Sequence, residues 1–251
     1  NHTSDQLAAG AINTGKKVHG HVLVWHSQTP NWINGGTGGN YTRAQARANM
    51  ELYIKTVVEH FDTRYPGVVI SWDVVNEAFV DGVGTISEGA DWKDYLRPAS
   101  QSAWIKSYSN GMSGGEHPSD FIYDAFVFAR KYTTAKLFYN DFNMYQDGKS
   151  KLVALMVKEL NARYRNEHPD DPRQLIDGVG DQSHNYIIDT PPSRVENGIR
   201  NLLSAGVDIA ITELDLFCWF PWNAQPAGGY RDLRDRTQPA HITGSTGTDE
   251  Q

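Results

Sequence analysis

The sequence predicts an α/β protein built on a parallel sheet, either an open sheet or part of an α/β barrel. Three observations carry this. Strand and helix signals alternate along the chain, and that order demands parallel strands joined by right-handed crossovers. The run VVISWDVV at 68–75 is almost continuously apolar, as in a strand buried on both faces. The three long connections, 27–41, 80–117 and 214–247, all follow strands rather than helices. In an α/β barrel such loops share one face, the catalytic one.

The elements follow in order. Residues 4–15 read as a short helix with Leu7, Ala8, Ala11 and Ile12 on one face. VHGHVLVW at 18–25 is a strand. Thr42 caps a long helix over 42–64, in which Ala46, Met50, Ile54, Val57, Val58 and Phe61 recur at helical spacing. After the strand at 68–75, a helix over 119–132 opens at Pro118-Ser119-Asp120. KLFYN at 136–140 is a strand, and 148–165 a helix with Leu152, Leu155, Met156 and Leu160 inward. IDGVGDQ at 176–182 is a strand, 191–205 a helix, and VDIAIT at 207–212 the last strand. Only five strands are legible, whereas a closed barrel of this kind has eight.

Composition narrows the function. The 251 residues suit a single α/β barrel, and 39% hydrophobic residues suffice for a sizeable core. A formal charge of −7 argues against nucleic acid, whose phosphates call for a basic face. No apolar run approaches the length of a membrane span. The single cysteine, Cys218, excludes an intrachain disulfide. Seven Trp and twelve Tyr suit a surface that stacks on sugar rings, although core packing would also use them. The triplets Asn1-His2-Thr3 and Asn40-Tyr41-Thr42 match the glycosylation pattern but are too short to carry weight. Nine histidines raise a metal reading. There is no HExxH, His19 and His21 share one strand face, and His26 lies on the other, so no zinc site is expected. GMSGG at 111–115 lacks the lysine of a phosphate loop, and GVGDQS lacks the third glycine of a dinucleotide fingerprint.

Two strand ends present glutamates, Glu77 in WDVVNEAF and Glu213 in ITELDLF. They are far apart in sequence, so only a fold that gathers strand ends can bring them together. Two carboxylates at the carboxyl ends of parallel strands are an arrangement that cleaves glycosidic bonds. Gln182 and His184 lie two apart, as do Glu213 and Asp215, so each pair points to one side.

Five motifs carry a resemblance: GHVLVWHSQTPNW at 20–32, WDVVNEAF at 72–79, LFYNDFN at 137–143, GVGDQSHNY at 178–186 and ITELD at 211–215. In this order, each at a strand end, they resemble glycoside hydrolase family 10, the endo-β-1,4-xylanases, over roughly residues 4–217. The resemblance implies a (β/α)8 TIM barrel of which this chain carries roughly strands 3 to 7. It implies Glu77 as general acid/base, a role that requires a carboxyl protonated near neutral pH, and Glu213 as the nucleophile that forms a glycosyl-enzyme. It implies that His184 bonds Glu213, that Asp215 holds His184, and that Asn76 bonds the sugar 2-OH. His26 and Trp32 match residues lining the −1 sugar, Gln182 belongs to the same substrate-binding group, and Tyr139 and Asn140 are expected at the cleft edge. Trp219 and Trp222 are stacking platforms or a small loop core. No cofactor is implied.

The chain also departs from the family. Its first two strands are absent, with a Glu-Asn pair and a lysine that hold the −2 and −1 sugars. The eighth strand is absent, with the tryptophans that roof the cleft. Phe142 stands where the family often has Tyr, and 80–117 is longer than the common loop. Five strands alone would leave two exposed edges. The expectation is therefore one partial catalytic barrel over 1–251, completed by strands from another segment of the same gene product, with a module inserted after the second strand. The substrate would be xylan, and location outside the membrane (secreted, periplasmic or cell-surface) is inferred from that substrate alone. The competing readings are a cellulase-like retaining β-1,4-glycanase and a non-catalytic glycan-binding fragment. The latter predicts a missing acid or nucleophile.

Overall fold

The computed structural model describes residues 2–186 and 190–217. Trp219, Trp222, Cys218 and most of 214–247 lie outside the described residues. Helices are α1 His2–Asn13, α2 Asn31–Asn34, α3 Arg43–Arg64, α4 Ala103–Ser109, α5 Asp120–Tyr132, α6 Asp147–Glu167 and α7 Pro192–Leu203. Strands are β1 Val18–Gly20, β2 Val24–Trp25, β3 Val69–Asn76, β4 Lys136–Asp141, β5 Gly178–Asp181, β6 His184–Tyr186, β7 Asp208–Ile211 and β8 Asp215–Phe217.

The main sheet runs β1-β3-β4-β5-β7, with β2 also on β3, and every pairing is parallel. It is curled into a half-barrel, part of a (β/α)8 TIM barrel, and the five strand positions are those legible in the sequence. The strand read at 18–25 is two pieces on the same edge of β3. The strand read at 207–212 ends at Ile211, but the chain does not leave the sheet there. The amides of Thr212, Glu213 and Asp215 donate to the carbonyls of Asp181, Gln182 and Ser183, and β8 then pairs with β6. The ladder is thus carried past the strand ends to where functional side chains stand.

Local chemistry explains the elements. At the start of α3, the Thr42 hydroxyl accepts from the Gln45 amide at 3.3 Å and the Gln45 side chain accepts from the Thr42 amide at 2.9 Å. This reciprocal capping box satisfies two otherwise orphaned donors. Ala46, Met50, Ile54 and Val58 of α3 are buried, as their spacing predicts. They join Val74, Leu137, Tyr139 and Val179 of the sheet and Ile122, Phe126, Leu152 and Met156 of α5 and α6 in one core.

Four readings need correction. Leu155 on α6 is exposed, and on α1 Ala8 and Ala11 are buried while Leu7 and Ile12 face outward. The segment 80–117 is no simple loop: it holds a 3-10 turn at Trp92–Tyr95 and α4, and it buries Trp92, Leu96, Trp104 and Tyr108. Likewise 27–41 contains α2.

Candidate active site

Parallel strands bring their carboxyl ends to one side. β3 delivers Asn76 and Glu77, β4 delivers Asn140, and the ladder beyond β5 and β7 delivers Gln182, His184, Glu213 and Asp215. Glu77 follows directly after β3 with φ 54. A side-chain-bearing residue in this left-handed region costs about 1–2 kcal/mol, so its neighbours have to hold it. The Glu77 amide donates to the Asn140 carbonyl at 2.9 Å. The Glu77 carbonyl accepts from Arg97 Nε at 2.8 Å. The next amide, that of Ala78, donates to Tyr139 Oη at 3.0 Å.

The carboxyl of Glu77 is ringed by three donors. Asn76 Nδ2 stands at 3.1 Å and Gln182 Nε2 at 3.0 Å from Oε1, and Trp25 Nε1 at 3.0 Å from Oε2. Asn76 Oδ1 accepts in turn from Gln182 Nε2 and from Asn140 Nδ2, both at 3.1 Å. Asn140 Nδ2 also donates to Glu213 Oε1 at 2.9 Å, while its Oδ1 accepts from the Thr212 hydroxyl at 2.8 Å. Two buried amides thus join the two carboxylates in one hydrogen-bonded chain. Such a chain fixes both groups relative to each other, because every buried polar atom in it is partnered.

The other side of Glu213 faces His184. Nε2 lies 3.3 Å from Glu213 Oε2, and Nδ1 lies 3.0 Å from Asp215 Oδ1. The ring thus stands between the two carboxylates, within ion-pair distance of each. The spacing puts each pair of residues on one side, and the pairing of His184 with both carboxylates is the one the family resemblance implies.

Glycines make room for this chain. A Cβ on Gly180 would fall 2.3 Å from Asn140 Oδ1 and 2.8 Å from Thr212 Cγ2, and one on Gly178 would strike the Phe138 ring. β5 must therefore be bare where β4 leans its side chains across it.

His26 lies beside Arg97 and Glu77. Burial first, then the Arg97 charge, holds its imidazole below the ordinary histidine range, so it is neutral near pH 7. Its Nδ1 has no hydrogen-bond partner among the described residues. The Trp32 ring stands exposed on α2. Tyr139 is a correction: it is fully buried rather than at the cleft edge. It donates to Asp141 Oδ2 at 2.5 Å, and burial followed by the Asp141 charge pushes its phenol well up. Adjacent strand residues point to opposite faces, so Tyr139 faces the core and Asn140 the site. Trp25, Arg97 and Thr212 were not singled out from sequence. Trp25 adjoins His26 in a quoted motif; Arg97 has no local signal, because its contact comes from a distant turn.

His19 and His21 both meet Asp73 of β3. Their nitrogens lie 2.9 Å from its two oxygens. The hydrogen bond to Asp73 raises the His21 pKa against burial, aided by the charges of Asp73, Glu213 and Glu77. Among the described residues no cluster of three or more His, Cys, Asp or Glu is arranged to hold a metal.

A family model described as "Glycosyl hydrolase family 10" matches residues 2–225. A β-1,4-xylanase of Dictyoglomus thermophilum is 32% identical over 221 residues, covering 88% of this chain and 52% of that protein. The endo-1,4-β-xylanase A of Xylanibacter ruminicola is 36% identical over 217 residues, covering 86% and 49%. The chain thus spans about half the length of the curated relatives it matches. Among solved structures, a xylanase of this family from termite gut that contains a bacterial Ig-like domain superposes with a TM-score of 0.73. It is 38% identical, and the match covers 88% of this chain and 44% of that one. An intracellular xylanase of Thermoanaerobacterium saccharolyticum, solved as a variant with xylotriose, superposes at 0.66 with 30% identity, covering 85% and 58%.

Proposed function

The chain belongs to glycosyl hydrolase family 10, and on that premise we propose that it is an endo-1,4-β-xylanase acting by double displacement. The observation that carries the reading is the hydrogen-bonded chain Glu77–Asn76–Asn140–Glu213 at the carboxyl ends of β3, β4 and β7. In the first step Glu213 attacks the anomeric carbon while Glu77 gives its proton to the departing glycosidic oxygen. In the second, Glu77 takes a proton from water as that water displaces Glu213, and configuration is retained. His184, backed by Asp215, keeps Glu213 aimed. Asn76 sits beside the acid to meet the sugar 2-OH, a contact that strengthens in the transition state. Neutral His26 and exposed Trp32 line the sugar bound there.

The same reading has further strands, from another segment of the same gene product, closing the ring between β7 and β1. A polymeric substrate would place the protein outside the cytoplasm. A cellulase-like β-1,4-glycanase is the nearest alternative, separated by room for the hydroxymethyl at C5 that glucose has and xylose lacks.

Proton NMR of arabinoxylan hydrolysis tests the proposal. The β-anomer is expected first, with far lower rates on cellulose derivatives. Glu213→Gln is expected to reduce turnover at least about a thousandfold while still binding xylo-oligosaccharide. An initial α-anomer, or undiminished hydrolysis by this variant, would defeat the assignment.

A further inference from the structure

The bond from Arg97 to the Glu77 carbonyl is not part of the two-carboxylate mechanism, and it belongs to a larger arrangement. Lys149 on α6 is completely buried, and so is Asp141 at the end of β4. Lys149 Nζ lies 2.8 Å from Asp141 Oδ1 and 3.1 Å from Asp81 Oδ1, with the Phe142 ring centroid 4.3 Å away. Asp81 offers its other oxygen to Arg97 Nη2 at 3.4 Å. A lysine shut away from water needs such anionic partners, and it fixes their positions in return. The Arg97 backbone is tied as well: its amide donates to the Ala78 carbonyl at 2.9 Å, next to an antiparallel bridge between Phe79 and Leu96. Asp141 also accepts from Tyr139, whose oxygen holds the Ala78 amide. Two arms thus leave Asp141, one through Lys149, Asp81 and Arg97, the other through Tyr139, and both close on the left-handed turn at Glu77.

We propose that Arg97 is a positioning residue for the general acid, its guanidinium clasping the Glu77 carbonyl and the Asp81–Lys149–Asp141 ion chain holding it there. This rests on the reading of Glu77 as the acid. Arg97 suits the task because its rigid fork serves two acceptors at once, Glu77 O through Nε and Asp81 through Nη2. Loosening the clasp lets the turn relax, and the carboxyl swings away from the leaving oxygen. Misplacement by about 1 Å costs roughly a hundredfold in rate.

The readout that separates aim from mere stability is the leaving group. A sugar hydroxyl leaves only when protonated, whereas a dinitrophenolate leaves without a proton. Arg97→Ala is expected to lower kcat/KM on xylohexaose about a hundredfold and on dinitrophenyl xylobioside by no more than about threefold, because that constant reports the glycosylation step. Arg97→Lys, which keeps the charge but not the fork, should fall between. Lys149→Met, remote from substrate, should show the same split at smaller size. Glu77→Ala is the control and should show the largest split. Equal loss on both substrates for Arg97→Ala, with the split intact in Glu77→Ala, would overturn the positioning role. No split in Glu77→Ala would instead overturn the assignment of Glu77. Amide exchange reads the clasp without turnover: the Glu77 and Ala78 amides should exchange about tenfold faster in Arg97→Ala, and unchanged rates would overturn the proposal.

Discussion

Asn140 is the residue through which the two carboxylates meet. One amide nitrogen serves both Asn76 and Glu213, and the side chain has this geometry only because β5 leaves it room at Gly180. Gly180→Ala therefore belongs with the site rather than the scaffold. The added methyl should cost about 1–3 kcal/mol through overpacking, and because Asn140 is what moves, kcat should fall about tenfold or more while the fold survives. Steady-state kinetics beside urea unfolding will separate the two. A second residue-scale expectation concerns His21. Its folded pKa is raised, chiefly by the hydrogen bond to Asp73, so the folded state holds the proton more tightly than the unfolded chain. The stability this contributes is fully present below about pH 6.5 and is lost as pH rises through the higher folded value. Melting temperature should therefore decline above neutrality, with a shallower slope in His21→Asn. Identical slopes would remove the His21–Asp73 pair as the cause.

At the scale of elements, α3 shows how a helix is bounded by its own sequence. Thr42→Ala removes the side-chain acceptor for the Gln45 amide and is expected to destabilise the chain by about 1 kcal/mol, measurable by denaturant unfolding at unchanged m-value. The excursion after β3 behaves differently. Residues 80–117 carry no strong periodicity, yet they bury two tryptophans and place Arg97 behind the acid. What orders that segment is packing against distant partners, such as the Trp92 ring nitrogen bonding Glu159 of α6 at 2.7 Å. A local reading of the sequence does not contain that term.

At the scale of the whole molecule, the half-barrel ends, among the described residues, on two parallel edges, β1 and β7. On the β7 side Ile211 and Leu214 are exposed. Edges that have no strand partner among the described residues, with apolar flanks, invite association. By itself this chain is expected to self-associate with rising concentration in sedimentation experiments. A monodisperse monomer at about 100 μM would show that the edges are protected.

The sequence by itself determined the parallel α/β architecture, the five strand positions, the spans of the five long helices and the two glutamates at the strand ends. All of these are written in periodicity, capping or spacing within a few residues, and geometry of that range follows from the chain's own covalent repeat. Only the tertiary structure decided that Tyr139 faces the core, that Trp25 and Arg97 serve Glu77, and that Asn140 joins the two glutamates. The reason is physical: a contact between residues far apart in sequence is settled by which strands become neighbours and how their side chains divide the space between them, and no local window of sequence carries that information.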